Sequence, residues 1–158
     1  MAYYGKISRG YDELYKEEQL KKLSIIKNSI KVNKNSKLLD VGCGTGISSQ
    51  FNCKVIGIDS SIGLIKQNNK TKVLGIAECL PFKSNSFDYV ISVTAIHNFK
   101  SIKKAIDEMK RVGKRDFVFS ILKKSRKLGS AKNSIRKNFK ITEIVEEEKD
   151  LIFFCEKP

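Results

Sequence analysis

The segment Leu38-Leu39-Asp40-Val41-Gly42-Cys43-Gly44-Thr45-Gly46 constrains this chain more than any other. An apolar strand carrying one acid runs into three glycines at alternate positions. Such a turn reverses sharply and lets the backbone approach a ligand where a Cβ would collide. A second apolar strand, Val55-Ile56-Gly57-Ile58, follows and ends in Asp59. In a doubly wound α/β sheet that acid lies at the carboxyl end of the second strand, where it can accept both hydroxyls of a ribose. Turn and acid together point to a nucleoside.

The glycine spacing narrows the choice. A dinucleotide fold calls for G-x-G-x-x-G with a pyrophosphate at the helix N-terminus. Here the spacing is G-x-G-x-G, with Asp40 just before it. An acid beside the loop repels a pyrophosphate but suits a ligand carrying an ammonium and a sulfonium. The pattern resembles the first motif of class I S-adenosylmethionine-dependent methyltransferases. Gly75-Ile76-Ala77-Glu78-Cys79-Leu80-Pro81-Phe82 and Ser86-Phe87-Asp88-Tyr89-Val90-Ile91-Ser92-Val93 resemble that family's third and fourth motifs. Tyr3-Tyr4 and Tyr11-Asp12-x-x-Tyr15 are similar to the opening of its ubiquinone- and menaquinone-biosynthesis type. The resemblance implies a cofactor site built from Tyr11, Asp40, Gly42, Cys43, Gly44, Gly46, Asp59, Ser60, Ala77, Glu78 and Thr94. In relatives an Asp before the alanine bonds the adenine amine; this chain has Ile76 there.

The expected fold is a Rossmann-like doubly wound seven-stranded α/β sheet, mostly parallel, with an antiparallel C-terminal strand pair. Its 158 residues suit one domain, with residues 1–35 as a helical cap and 36–158 as the sheet core. Leu14, Leu20, Leu23, Ile26 and Ile30 give Asp12 to Ile30 a helical apolar face. Strands are expected at Lys37 to Val41, Lys54 to Asp59, Lys72 to Ile76, Tyr89 to Val93 and Asp116 to Leu122. Between the first two, only Ile47 to Asn52 can be helical. Ser60 or Ser61 caps a helix with Leu64 and Ile65, and Ser101 caps one with Ile102, Ala105, Ile106, Met109 and Val112. Gly129 and Ser130 suggest a break within the basic stretch Lys123 to Lys137. Phe139 to Glu146 and Leu151 to Glu156 read as the closing pair.

A sulfonium already activates its methyl group, so the protein has mainly to align a nucleophile in line and exclude water. Thr94, His97 and Asn98 follow strand four and are the candidates for chemistry. His97, the only imidazole, reads either as a proton acceptor or as a structural group at the next helix. Planar-amine methyltransferases have N-P-P-Y or D-P-P-Y here, whereas this chain has Thr94-Ala95-Ile96-His97; the cytosine-5 nucleophilic cysteine is missing too. Cys43, Cys53, Cys79 and Cys155 form no C-x-x-C pair, so no metal site is expected and all four read as small buried apolar residues.

Formal charge is +14. The densest basic stretch, Lys123, Lys124, Arg126, Lys127, Lys132, Arg136 and Lys137, follows strand five and reads as an RNA contact or as a solvated surface. Only five of the 31 basic residues are arginine, which fits a general lysine bias. Ser86 to Phe99, with Glu108 and Arg111 after it, is also similar to tRNA wobble-uridine carboxymethyl methyltransferases. That similarity implies a small zinc-binding activator protein docked on a sheet edge, and tRNA or a translation component as acceptor. A small-molecule methyltransferase and a non-catalytic cofactor-binding subunit are the other readings. No apolar run is long enough to cross a bilayer and no secretory pattern is seen, so a cytoplasmic, non-membrane protein is expected.

Overall fold

Strand β1, Lys37–Val41, is buried at four consecutive positions because strands pair with it on both sides and its faces are both covered. This computed structural model describes residues 2–44, 50–65 and 71–158, and side chains for 13–44, 50–63 and 71–158. The remaining strands are β2 (Lys54–Asp59), β3 (Lys72–Leu74), β4 (Phe87–Val93), β5 (Gly113–Leu122), β6 (Lys140–Glu146) and β7 (Asp150–Glu156). They form one sheet in the order β3-β2-β1-β4-β5-β7-β6. The first five are parallel, and β7 runs antiparallel to both β5 and β6. The carboxyl ends of β1, β2, β4 and β5 therefore share one sheet edge, the place where ligands bind in open α/β sheets.

β1 and β2 have the expected limits. β4 and β5 start earlier than expected, because an irregularity between Phe87 and Tyr89 lets Phe87 pair with Gly113. A side chain at Gly113 would lie 2.5 Å from the Phe117 ring. β3 stops at Leu74, short of Ile76, because the chain then tightens into a turn closed by the Cys79 amide on the Ile76 carbonyl. The helical stretch expected at 47 to 52 falls largely outside the described residues.

Helix α3, Ile102–Val112, is capped by Ser101, whose hydroxyl accepts the Lys104 amide. It buries Ile102, Ala105, Ile106, Met109 and Val112. Each large apolar side chain so buried contributes about 1.5–3 kcal/mol. The expected break at Gly129 and Ser130 is not present: α4 runs unbroken over Leu128–Asn138. Both residues lie in its first turn, where interior hydrogen bonding has not begun, and burial of Ala131 and Ile135 fixes the rest. Phe139 follows, its ring 4.5 Å from Phe117 and 5.3 Å from Phe119 between centroids. The helix α2 is a single turn, Ile62–Ile65.

Residues Met1–Lys31 form one compact unit and Val32–Pro158 another. The first is the helix α1, Ala2–Ser29, which begins ten residues before the expected Asp12. No helix among the described residues is long and apolar enough to cross a membrane.

Candidate functional site

The glycine turn is fastened to the end of β2. Gly42 and Cys43 both donate their amides to the Ile58 carbonyl, at 2.8 and 3.1 Å. Gly42 and Gly44 adopt left-handed backbone, with φ of 79° and 54°, which glycine reaches without a Cβ penalty. Asp59, half-buried at the β2 terminus, accepts the Gly44 amide on Oδ2 and the Ser61 amide on Oδ1, each at 2.9 Å. A carboxylate has about four acceptor sites, so two remain for a ligand's hydroxyls. Ser60 beside it is exposed. Lys72 reaches across from β3 to the Gly44 carbonyl, at 3.4 Å.

Cys43 is the buried middle residue of this turn. Burial, then the charges of Asp40 and Asp59, push its thiol up to about 12. It is therefore no nucleophile near neutral pH. Asp40 is itself buried at the end of β1. Two carboxylates around a glycine turn disfavour a pyrophosphate and favour a cationic ligand. Among the described residues no group of three His, Cys, Asp or Glu side chains is placed to hold a metal ion.

A second turn abuts the first. Gly42 has no side chain where Ala95 comes close: a Cβ there would lie 2.6 Å from Ala95 Cβ and 3.7 Å from the Phe99 ring. Ser92 ties the same strands together, its hydroxyl donating to the Val41 carbonyl at 2.9 Å. Beyond β4, Thr94 holds φ of 53°, an outlier for a β-branched residue that costs on the order of 1–3 kcal/mol. His97, half-buried, and Asn98, exposed, lie on the 3-10 turn Ile96–Asn98 that follows.

Ala77 is buried and Glu78 half-buried; Glu78 Oε1 accepts the Ser101 amide at 3.3 Å. Ile76, by contrast, is 51% exposed. Cys79 corrects the reading of all four cysteines as buried: it is exposed on the Ile76–Cys79 turn, and Cys53 is only half-buried. Gly46 and the Tyr11 side chain lie outside the described parts of the chain.

Sequence reasoning missed Ser120 and Asp150, both fully buried beside Thr94. Thr94 donates its amide to Ser120 Oγ at 2.8 Å and its hydroxyl to Asp150 Oδ2 at 2.8 Å. The only signals were a lone hydroxyl within the apolar run Phe117–Leu122 and an acid opening the apolar run of β7.

This sheet order, with a glycine turn after β1 and an acid closing β2, defines a Rossmann-like doubly wound α/β protein with its ligand edge at the carboxyl ends of the parallel strands. A family model described as a methyltransferase domain matches residues 39–121, just over half of the chain, which therefore belongs to that family. An uncharacterized protein of Methanocaldococcus jannaschii is 36% identical over 146 residues, covering 87% of this chain and 57% of that protein. A demethylmenaquinone methyltransferase of Renibacterium salmoninarum is 37% identical over 87 residues, 49% of this chain and 37% of the enzyme. The chain thus spans about half the length, or less, of these two relatives. Among solved structures, the Haloferax volcanii complex between the Trm112 methyltransferase activator and a methyltransferase matches with a TM-score of 0.81 at 13% identity, covering 94% of each chain. An S-adenosylmethionine-dependent methyltransferase of Thermotoga maritima matches with a TM-score of 0.76 at 17% identity over 98% of each chain. At such identities these likenesses speak for the fold alone.

Proposed function

We propose that the chain methylates an RNA, tRNA or a component of translation, and does so with a small activator protein. Bound S-adenosylmethionine supplies an activated methyl group on sulfur. In this reading Asp59 accepts the ribose hydroxyls, while Asp40 and the Gly42-Cys43-Gly44 turn receive the charged methionine end. Ala77 and Glu78 border the adenine, and Ile76 leaves its amine to a backbone acceptor or to Glu78. His97 and Asn98 face the acceptor, and His97 can take its proton.

One observation carries the RNA part. Lys124, Arg126 and Lys127 are exposed directly after β5, on the same sheet edge as the glycine turn and the His97 turn. Arg136 and Lys137 on α4 are exposed as well. A cationic rim beside a methyl-donor site suits a polyanionic acceptor.

The activator reading is supported by the two edges of the sheet. Charged Lys140, Glu143 and Glu146 punctuate β6, which discourages strand addition. The β3 edge instead exposes Leu74 (54%) with Ile76 just beyond it, and neighbouring Ile62 is 54% exposed. A partner strand added there would cover apolar surface. The Haloferax volcanii neighbour was solved in complex with the Trm112 activator, which supports the reading that a small partner is involved.

The test is calorimetric titration of S-adenosylmethionine into the chain and into Asp59→Ala. Labelled methyl transfer to total tRNA would follow, with and without a small zinc-binding activator. Cofactor binding lost in Asp59→Ala, with transfer to tRNA, is the expected result. Saturable binding with transfer only to small-molecule extracts would move the acceptor to the metabolite class.

A further inference from the structure

Resting on the cofactor reading above, we propose that Asp150 is a positioning residue. Through the Thr94 hydroxyl it holds the left-handed backbone at the end of β4, and so keeps the Ala95–Asn98 turn seated against the glycine turn.

The starting point is a conformation that needs support. Thr94 has φ of 53°, which a β-branched side chain adopts only when its surroundings over-determine it. Two strands supply that constraint. From β5, Ser120 accepts the Thr94 amide on its hydroxyl at 2.8 Å and on its carbonyl at 3.1 Å. From the first residue of β7, Asp150 accepts the Thr94 hydroxyl at 2.8 Å. Thr94 Oγ1 and Ser120 Oγ are themselves 3.3 Å apart. The threonine is thus gripped at both its main chain and its side chain.

Asp150 is a costly choice for this place. It is fully buried at the position of β7 that pairs with Leu122. A carboxylate there loses its hydration, and an apolar residue would fill the space at lower cost. What the acid adds is a strong, directed acceptor for the Thr94 hydroxyl.

The consequence reaches the site through Ala95. Its Cβ occupies the space that Gly42 leaves open, where a Gly42 side chain would approach to 2.6 Å. Rotating residue 94 back to a negative φ redirects the chain at Ala95 and lifts that contact. His97 and Asn98, two and three residues further on, move with it. Asp150 touches neither cofactor nor acceptor in this scheme; it acts through Thr94.

Glycine and valine at position 94 separate the explanations, with S-adenosylmethionine affinity measured by calorimetry and folding followed by circular dichroism. Both substitutions remove the hydroxyl, but glycine holds φ of 53° unaided and valine does not. Thr94→Val is expected to weaken binding by about tenfold, the scale of one such strained residue. Thr94→Gly is expected to recover about fivefold or more of that loss, and to rescue Asp150→Ala in the double variant on the same scale. Equal losses in Thr94→Val and Thr94→Gly would overturn the proposal, because the hydroxyl would then touch the ligand directly. Wild-type affinity in Thr94→Val would overturn it too, since the grip would be idle. Should Asp150→Ala fail to fold, the two Thr94 variants still decide. A folded wild-type chain that does not bind S-adenosylmethionine sinks the cofactor reading, and this proposal with it.

Discussion

Arg111 and Glu108, one turn apart on α3, together hold the backbone of the Leu80-Pro81-Phe82 loop. Arg111 donates to the Leu80 and Phe82 carbonyls at 3.0 and 2.8 Å, and Glu108 Oε2 accepts the Leu80 amide at 2.8 Å. The two side chains bond each other at 2.8 and 2.9 Å. The loop carrying Ala77 and Glu78 is thus tied to α3, whose apolar face is buried in the core, rather than left to its own turns.

A pH dependence follows from that clamp. The Arg111 hydrogen bond, and then the Leu80 amide, hold Glu108 below the ordinary glutamate value of 4.5, against the opposing effect of burial. A depressed carboxyl contributes stability above its unfolded value and loses it as pH falls through the folded one. Arg111→Ala should cost about 1–3 kcal/mol at pH 7, where two carbonyls and a carboxylate lose a charged donor. Urea unfolding of both proteins should show that gap shrinking below pH 4.5. A gap of constant size down to pH 3 would mean that the carboxylate takes no part.

Gly57 and Cys43 make a second dependent pair. A Cβ on Gly57 would lie 2.6 Å from Cys43 Sγ and 2.8 Å from Cys43 Cβ. Gly57→Ala should therefore destabilise by about 1–3 kcal/mol through overpacking, and weaken S-adenosylmethionine binding by displacing the glycine turn. Cys43→Gly in the same chain removes both clashing atoms and should restore part of each loss. An alanine variant with unchanged denaturation midpoint and affinity would show that the turn yields freely.

Much of this was legible because local signals agreed. Lys37–Val41 and Lys54–Asp59 read as strands to the residue, since apolar runs bounded by polar residues leave little choice. Ser101 and the five apolar residues behind it read as α3 for the same reason. What stayed hidden depends on long-range pairing. Thr94 meets Ser120 across 26 residues and Asp150 across 56, and no local pattern announces either contact. Gly129 and Ser130 looked like a break because propensity favours one, but packing of Ala131 and Ile135 decides α4. Cys79 resembles its buried neighbours in sequence; only the turn at Ile76 turns it outward.

The cysteines give a chemical check on that last point. Burial pushes the Cys43 and Cys155 thiols up to about 12, whereas Cys79 is exposed. Thiolate is the reactive form, so the buried pair should resist alkylation even at pH 9. Iodoacetamide followed by peptide mass mapping should label Cys79 first. Cys43 and Cys155 should react only once the chain unfolds. Early labelling of Cys43 in the native chain would mean that the glycine turn opens readily. Bound S-adenosylmethionine should slow that labelling further if it closes over the turn.

The basic face can be tested residue by residue. Lys123 is already engaged by Glu146 at 2.8 Å, while Lys124, Arg126 and Lys127 beside it are exposed. Each side chain that neutralises a phosphate contributes about 0.7–0.9 to the slope of log affinity against log salt. Lys124→Gln and Lys127→Gln should therefore each lower the slope for tRNA by roughly that amount. Lys123→Gln should change it less, because its charge is partly satisfied within the protein. Filter binding at several salt concentrations measures all three. A slope near zero for the wild type would make the lysines a solvating surface, and leave the acceptor among uncharged or small molecules.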